Sequence, residues 1–257
     1  MSHPATGSWP AAAASRNVTQ PLRNQVALVT GASSGIGCAI ALALAAAGSR
    51  LCVIARSRER LERVTNEVRD CGTAATAYQV DLGIQDDVDR LASTILREHA
   101  GVDILVHSAG TISLNPVETA KIDDLDRQYQ TNLRGPYLLT QRLLPSLVAR
   151  GGQIVFVNSS AGLRARAGVS QYAATKHALK AVADSLREEL HDRGVRVLSV
   201  FPGNTATPMQ SALCREAGRP YVPEECLDPN DVATLIVTTL GLRSAEVKEI
   251  DLRPRTR

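Results

Sequence analysis

From Gln25 onward the chain alternates two textures. Short aliphatic or β-branched runs fall at 26–30, 50–55, 76–80, 102–107, 153–158, 195–201 and 247–252. Between them lie longer segments with apolar residues at helical spacing, at 36–47, 58–70, 84–99, 125–150, 169–193 and 229–242. The short runs are almost wholly apolar rather than alternating, which is the pattern of strands covered on both faces. Seven such strands separated by helices predict an α/β fold, a single Rossmann-like doubly wound sheet of about seven parallel strands with helices on both faces. Gly48, Gly72 and Gly194 stand just past three of the helical segments, where a left-handed terminal residue is wanted. Pro145 lies inside the 125–150 segment and predicts a kink or an end near Leu144. No linker, repeat or change of composition interrupts the pattern, so one domain is expected over 25–257, after a flexible tail over 1–24.

Composition narrows the function classes. The 257 residues are 44% apolar, 21% charged and only 3% aromatic, which leaves no stacking platform for single-stranded nucleic acid. The net charge of +3 resides in the termini. Arg16 and Arg23 precede the body, and Arg253, Arg255 and Arg257 follow it, leaving 24 basic against 26 acidic side chains, or −2. A nucleic-acid partner is therefore not expected. Five scattered cysteines (38, 52, 71, 214 and 226) form no CxxC pair and have no histidine at ligand spacing, so neither a disulfide framework nor a metal site is expected. With no apolar run long enough to cross a membrane, the expectation is a cytoplasmic protein. The first 24 residues have the composition of a transit peptide, but Pro4, Pro10 and Pro21 would break its amphipathic helix; a floppy terminus is the favoured reading.

The first candidate chemistry is the turn Thr30-Gly31-Ala32-Ser33-Ser34-Gly35-Ile36-Gly37, between the first strand and the first helix. Glycines let backbone approach a pyrophosphate, and the N–H groups of the helix start favour its charge. The alternative is a tight turn with no ligand. The strand before, the helix after and the βαβ length all suit a dinucleotide, with Gly31, Ser33, Ser34, Gly35, Ile36 and Gly37 as its contacts. At the end of the second strand, where a carboxylate would hold a ribose 2′-OH, the chain has Ala55 and then Arg56. A guanidinium there suits a 2′-phosphate, so NADP(H) is expected over NAD(H). A solvated arginine near Arg58 and Arg60 is the alternative.

The second is Tyr172 with Lys176, four apart and so on one helix face. An ammonium one turn away would lower the phenol pKa toward working pH, as a proton donor to a carbonyl requires. Ser159 lies thirteen residues earlier at a strand end, where ligands of open α/β sheets bind. Alone, a Tyr–Lys pair is more often a solvated helix face.

Taken together, these motifs resemble the short-chain dehydrogenase/reductase family over 25–254. They are the turn at 30–37, Asp81, Asn132 in Thr-Asn-Leu-Arg-Gly, Ser159, Tyr172-x-x-x-Lys176 and Pro202-Gly203. The resemblance implies a catalytic set of Ser159, Tyr172, Lys176 and Asn132. Tyr172 would exchange a proton with the substrate oxygen, and Ser159 would hydrogen-bond that oxygen. Lys176 would hold the nicotinamide ribose, while Asn132 would bend its helix and position a water that relays protons to Lys176. Asp81 and Leu82 would lie at the adenine, and Thr207 would contact the nicotinamide amide. The stretch 108–110 (Ser108, Ala109, Gly110), Pro202, Gly203 and Thr205 would complete the cofactor site.

The implied activity is NADP(H)-dependent interconversion of a carbonyl and a secondary alcohol. A non-catalytic NADP-binding sensor or scaffold on the same fold is the alternative. Self-association as a dimer or tetramer, through the helices carrying Asn132 and Tyr172, is also implied.

Two stretches depart from the family or vary within it. Where the family has Asn-Asn-Ala-Gly, this chain has His107-Ser108-Ala109-Gly110, and His107 reads as a structural histidine. Substrate contacts are expected in a loop or lid over 208–226, where Met209, Leu213, Tyr221 and Val222 suit either an apolar wall or lid packing. Arg164 and Arg166 beside Ser159 would suit an acidic substrate, an exposed basic loop or a subunit contact equally.

Overall fold

The computed structural model describes residues 20–255. The strands are β1 (Val26–Thr30), β2 (Arg50–Ala55), β3 (Ala75–Gln79), β4 (Ile104–His107), β5 (Gln153–Val157), β6 (Arg196–Pro202) and β7 (Glu249–Leu252). All pair in parallel, in the order β3-β2-β1-β4-β5-β6-β7. The chain winds outward from β1 in one direction, then restarts at β4 and winds in the other. A crevice therefore opens between β1 and β4, the switch point where open α/β sheets bind ligands.

Alternate residues of each central strand serve opposite faces, which is why the strands read as continuous apolar runs. Ala27 and Val29 of β1 join a core built with α1 (Gly35–Ala46), α2 (Arg58–Asp70) and α8 (Pro229–Leu240). Val26 and Leu28 point to the other core, closed by α3 (Gln85–Glu98), α5 (Gly135–Ala149) and α6 (Ser170–Leu190). Only the edge strands β3 and β7 alternate in exposure.

Three expectations change. Most of the expected N-terminal tail, residues 1–19, lies outside the described residues, but residues 20–24 do not continue a tail. Leu22 is buried in the α1 side of the core, and its carbonyl accepts a hydrogen bond from Ser49 Oγ at 3.2 Å. Pro145 does not end its helix, since α5 runs on to Ala149. The proline is exposed, and so is Gln141, whose carbonyl loses its helical donor; solvent can replace that bond. The 208–226 stretch is not all loop. It contains a helix, α7 (Pro208–Glu216), with Pro208 in its first turn and the Thr207 hydroxyl accepting from Gln210 N at 3.2 Å.

Candidate active site

The crevice at the switch point is a cleft of about 330 Å³. Its floor is made by two loops tied together through one hydroxyl. Thr30 Oγ1 accepts from the N–H of Ser108 (3.1 Å) and of Ala109 (3.2 Å), and donates to the Val106 carbonyl (3.3 Å). The loops meet so closely that a side chain at Gly31, where φ is +68°, would put its Cβ 2.7 Å from Ala109 Cα. A Cβ at Gly37 would overlap the Gly31 carbonyl oxygen. The first helix then starts with no side-chain cap from Ser34 and no acid in its first turn, leaving its end N–H groups to face an anion. A glycine-floored cradle beneath an uncapped helix start fits the pyrophosphate of a dinucleotide.

The cleft is lined by the turn at 31 and 33–37, by Arg56, by Asp81 with Leu82, by 108–110, and by Tyr172, Lys176 and Thr207. Three of the expected cofactor residues do not line it. Pro202 is paired with Leu252 of β7, Gly203 N donates to the Leu252 carbonyl at 2.8 Å, and Thr205 Oγ1 donates to Gly203 O at 3.0 Å. These residues anchor β7 and the chain leading into α7. The cleft also takes in residues that sequence reasoning passed over as site members, above all Arg60 and Asn158. Arg60 lies four residues after Arg56, a spacing that could have flagged it. Arg58, between them, is held by Glu62 at 2.9 Å. Arg56 stands 3.9 Å from the Asp81 carboxylate, an exposed and weak pair that leaves it free to meet an anion.

At the inner end of the cleft, Lys176 is buried, which rules out a solvated helix face for it. Its Nζ donates to the Val157 carbonyl at 3.1 Å and sits 5.8 Å from the centre of the Tyr172 ring. Burial pulls the ammonium down to about 8. Tyr172 keeps part of its surface open to the cleft. Here the expected electrostatics are corrected. Burial pushes the phenol up to about 12, and the opposing influence is the Ser159 hydroxyl rather than the lysine. Ser159 is fixed at the head of a short 3₁₀ turn (Ser160–Gly162), where its Oγ also accepts from Ala161 N at 3.1 Å.

Asn132 lies in a π turn (Gln130–Arg134) between α4 (Ile122–Tyr129) and α5, so the expected irregularity is there. Its carboxamide is fully engaged, however. It accepts from Thr111 N (2.8 Å) and donates to Thr111 O (2.8 Å) and Thr175 Oγ1 (3.1 Å). Thr175 Oγ1 in turn donates to the backbone carbonyl of Tyr172 at 2.8 Å. The side chain of Asn132 therefore acts as a brace between the chain after β4 and the tyrosine helix. Asn158 braces the same helix by donating to the Lys176 carbonyl at 3.0 Å, with its own Oδ1 buried and unpartnered.

His107 pairs with Thr140 Oγ1 at 2.8 Å, stacks on Phe156 with centroids 5.0 Å apart, and has a buried, unpartnered Nδ1. Burial lowers its pKa to about 3. A histidine held neutral in the folded chain titrates only after unfolding. Its contribution is complete above about pH 6.5 and is lost as the pH falls toward 3. We expect the drop in unfolding free energy between pH 7 and pH 5 to shrink by about 2 kcal/mol in His107→Asn, measured by urea denaturation. An unchanged drop would mean that His107 is not held neutral. Arg164 and Arg166 lie on an exposed loop outside the cleft lining. Among the described residues no helix is long and apolar enough to cross a membrane.

The chain resembles known proteins along this same frame. A family model described as short chain dehydrogenase matches residues 25–217. A glycine betaine reductase of Emericella nidulans is 34% identical over 244 residues, covering 91% of this chain but only 19% of that much longer protein. An uncharacterized oxidoreductase of Staphylococcus aureus is 30% identical and aligns with 91% of this chain and 98% of its own. Among solved structures, an alcohol dehydrogenase from the archaeon Thermococcus sibiricus, complexed with 5-hydroxy-NADP, superposes with a TM-score of 0.83. It is 29% identical, covering 90% of this chain and 97% of that one.

Proposed function

We propose that this chain, which belongs to the short chain dehydrogenase family, interconverts a carbonyl compound and a secondary alcohol with NADP(H). The observation that carries the reading is the meeting of buried Lys176, Tyr172 and the glycine-floored cradle in one cleft. The archaeal structure solved with 5-hydroxy-NADP supports the choice of cofactor. The backbone of the 31–37 turn would hold the pyrophosphate, Asp81 and Leu82 the adenine, and Lys176 and Thr207 the nicotinamide end. When bound, the nicotinamide supplies or takes up a hydride. Tyr172 gives its phenolic proton to the substrate oxygen in reduction and removes a proton in oxidation. Ser159 holds that oxygen as charge develops on it. Lys176 presents its cation to the ring and keeps the hydroxyl near a positive charge. Tyr137, Leu144, Val182 and Leu186 line a groove between α5 and α6, the face we assign to self-association.

A panel of ketones, aldehydes and secondary alcohols, assayed with NADPH/NADP and NADH/NAD side by side, tests the reading. Arg56 and Arg60 both line the cleft, and we assign to them the grip on a 2′-phosphate. In the Arg56→Ala/Arg60→Ala variant, KM for NADPH should rise roughly 10- to 100-fold, the loss of one or two charge-assisted contacts, with KM for NADH nearly unchanged. Equal effects on both cofactors would remove the 2′-phosphate assignment.

A further inference from the structure

We infer that Gln128 is a positioning residue for Tyr172, clamping the chain after β4 to the start of α6. The inference rests on the reading of Tyr172 as the proton-transferring group. Gln128 lies in α4, a helix whose other residues are mostly exposed, yet its own side chain is fully buried. Every polar position of its carboxamide is used. Oε1 accepts from Ser113 N at 3.2 Å, and Nε2 donates to the Asp124 carbonyl at 3.0 Å and to Gln171 Oε1 at 3.3 Å. Gln171 immediately precedes Tyr172, and its own Nε2 is fixed on the Lys121 carbonyl at 2.8 Å.

Gln128 therefore repeats, one helical turn earlier, what Asn132 does. Asn132 grips Thr111 and Thr175, while Gln128 grips Ser113 and Gln171. The two carboxamides hold alternate residues of one short segment after β4 and the two α6 residues that bracket Tyr172. A leucine could fill this buried volume with no polar demands. A carboxamide is tolerated there only because all its bonds are made, and those bonds fix direction as well as distance. Removing it would take their partner from the Ser113 N–H and from the side-chain Oε1 of Gln171, the residue next to Tyr172. A displacement of about 1 Å at a proton-transfer site is enough to slow reaction about a hundredfold.

The test uses the full-length protein as Gln128→Leu, Gln171→Leu and the double variant. Turnover, NADPH affinity by fluorescence titration, thermal midpoint and amide hydrogen exchange are measured on each. Either single variant should lose about 10- to 100-fold in kcat, with the NADPH dissociation constant changed less than about twofold. The double variant should lose little more than the worse single one, because the two side chains share one contact. Exchange at the Ser113 and Tyr172 amides should speed in Gln128→Leu.

A folded, NADPH-binding Gln128→Leu protein with wild-type kcat would overturn the inference. So would a fall in kcat that merely tracks lost NADPH binding, or additive effects in the double variant. If Gln128→Leu does not fold, Gln171→Leu removes the same contact from a less buried position and must show the kcat loss by itself. Wild-type protein that binds NADPH but turns over no carbonyl or alcohol would sink the reading of Tyr172 instead. The clamp would then stand or fall on the exchange rates.

Discussion

Replacing Tyr172 with phenylalanine should lower kcat about a thousandfold, the scale of a lost general acid–base group, while NADPH binding stays within about twofold of wild type. The substitution removes one oxygen and keeps the ring, so the packing around Lys176 and the lysine's position 5.8 Å from the ring centre are retained. What disappears is the phenolic proton itself. Steady-state kinetics and fluorescence titration of NADPH separate the two effects. A phenylalanine variant with wild-type turnover would move the proton-transfer role to another group.

Gly31→Ala is expected to damage both the fold and the cofactor cradle. The residue has φ +68°, a region that costs an ordinary side chain roughly 1–2 kcal/mol. The new Cβ would also meet Ala109 Cα at 2.7 Å and Ala109 N at 2.8 Å, both backbone atoms that cannot swing aside. Overpacking of this kind adds roughly 1–3 kcal/mol. Together these amount to a large share of the roughly 5–15 kcal/mol that holds a domain folded, and a fall in thermal midpoint on the order of 10 °C follows. Parting the two loops would also spoil the cradle, so NADPH affinity should fall at least about a hundredfold. Gly72→Ala is the matched control. Its φ is +81° but nothing lies within 4 Å, so it should show the backbone cost alone and keep its NADPH affinity. Similar behaviour of the two variants would contradict the close approach of the loops.

The parts legible in the sequence were those written locally or repeated. Each central strand reads as an apolar run because both its faces are covered, so seven strands in a parallel sheet could be inferred from texture alone. The 30–37 turn was legible because its glycines directly follow one apolar run and directly open a helical one, although the backbone that excludes a side chain at Gly31 belongs to Ala109, far along the chain. Tyr172 and Lys176 share a face by spacing. What spacing cannot say is how deeply that face is buried, and burial reversed the expected direction of the phenol shift.

Other features depend on contacts distant in sequence. Gln128 reads as one more polar residue of an amphipathic helix until Ser113 and Gln171, 15 and 43 positions away, are seen around it. Pro202, Gly203 and Thr205 looked like cofactor residues by motif, but their partners are Leu252 and Leu227, far along the chain. Pro145 reads as a kink or an end, and the end does not occur because Gln141, whose carbonyl it leaves free, is exposed. The helix within 208–226 did have a local signal, Thr207 followed by Pro208 at its start, which the apolar residues around it obscured.

The central claim is that this cleft carries out proton-coupled hydride exchange with a substrate carbonyl. Its most direct measurement is label transfer: NADPH deuterated at the transferring position of nicotinamide C4, incubated with the carbonyl panel and the wild-type protein. The alcohol product should carry one deuterium on its carbinol carbon per NADPH consumed, and Tyr172→Phe should slow the transfer about a thousandfold. NADPH that binds in the cleft but passes no deuterium to any carbonyl, at any rate above the protein-free control, would contradict the account.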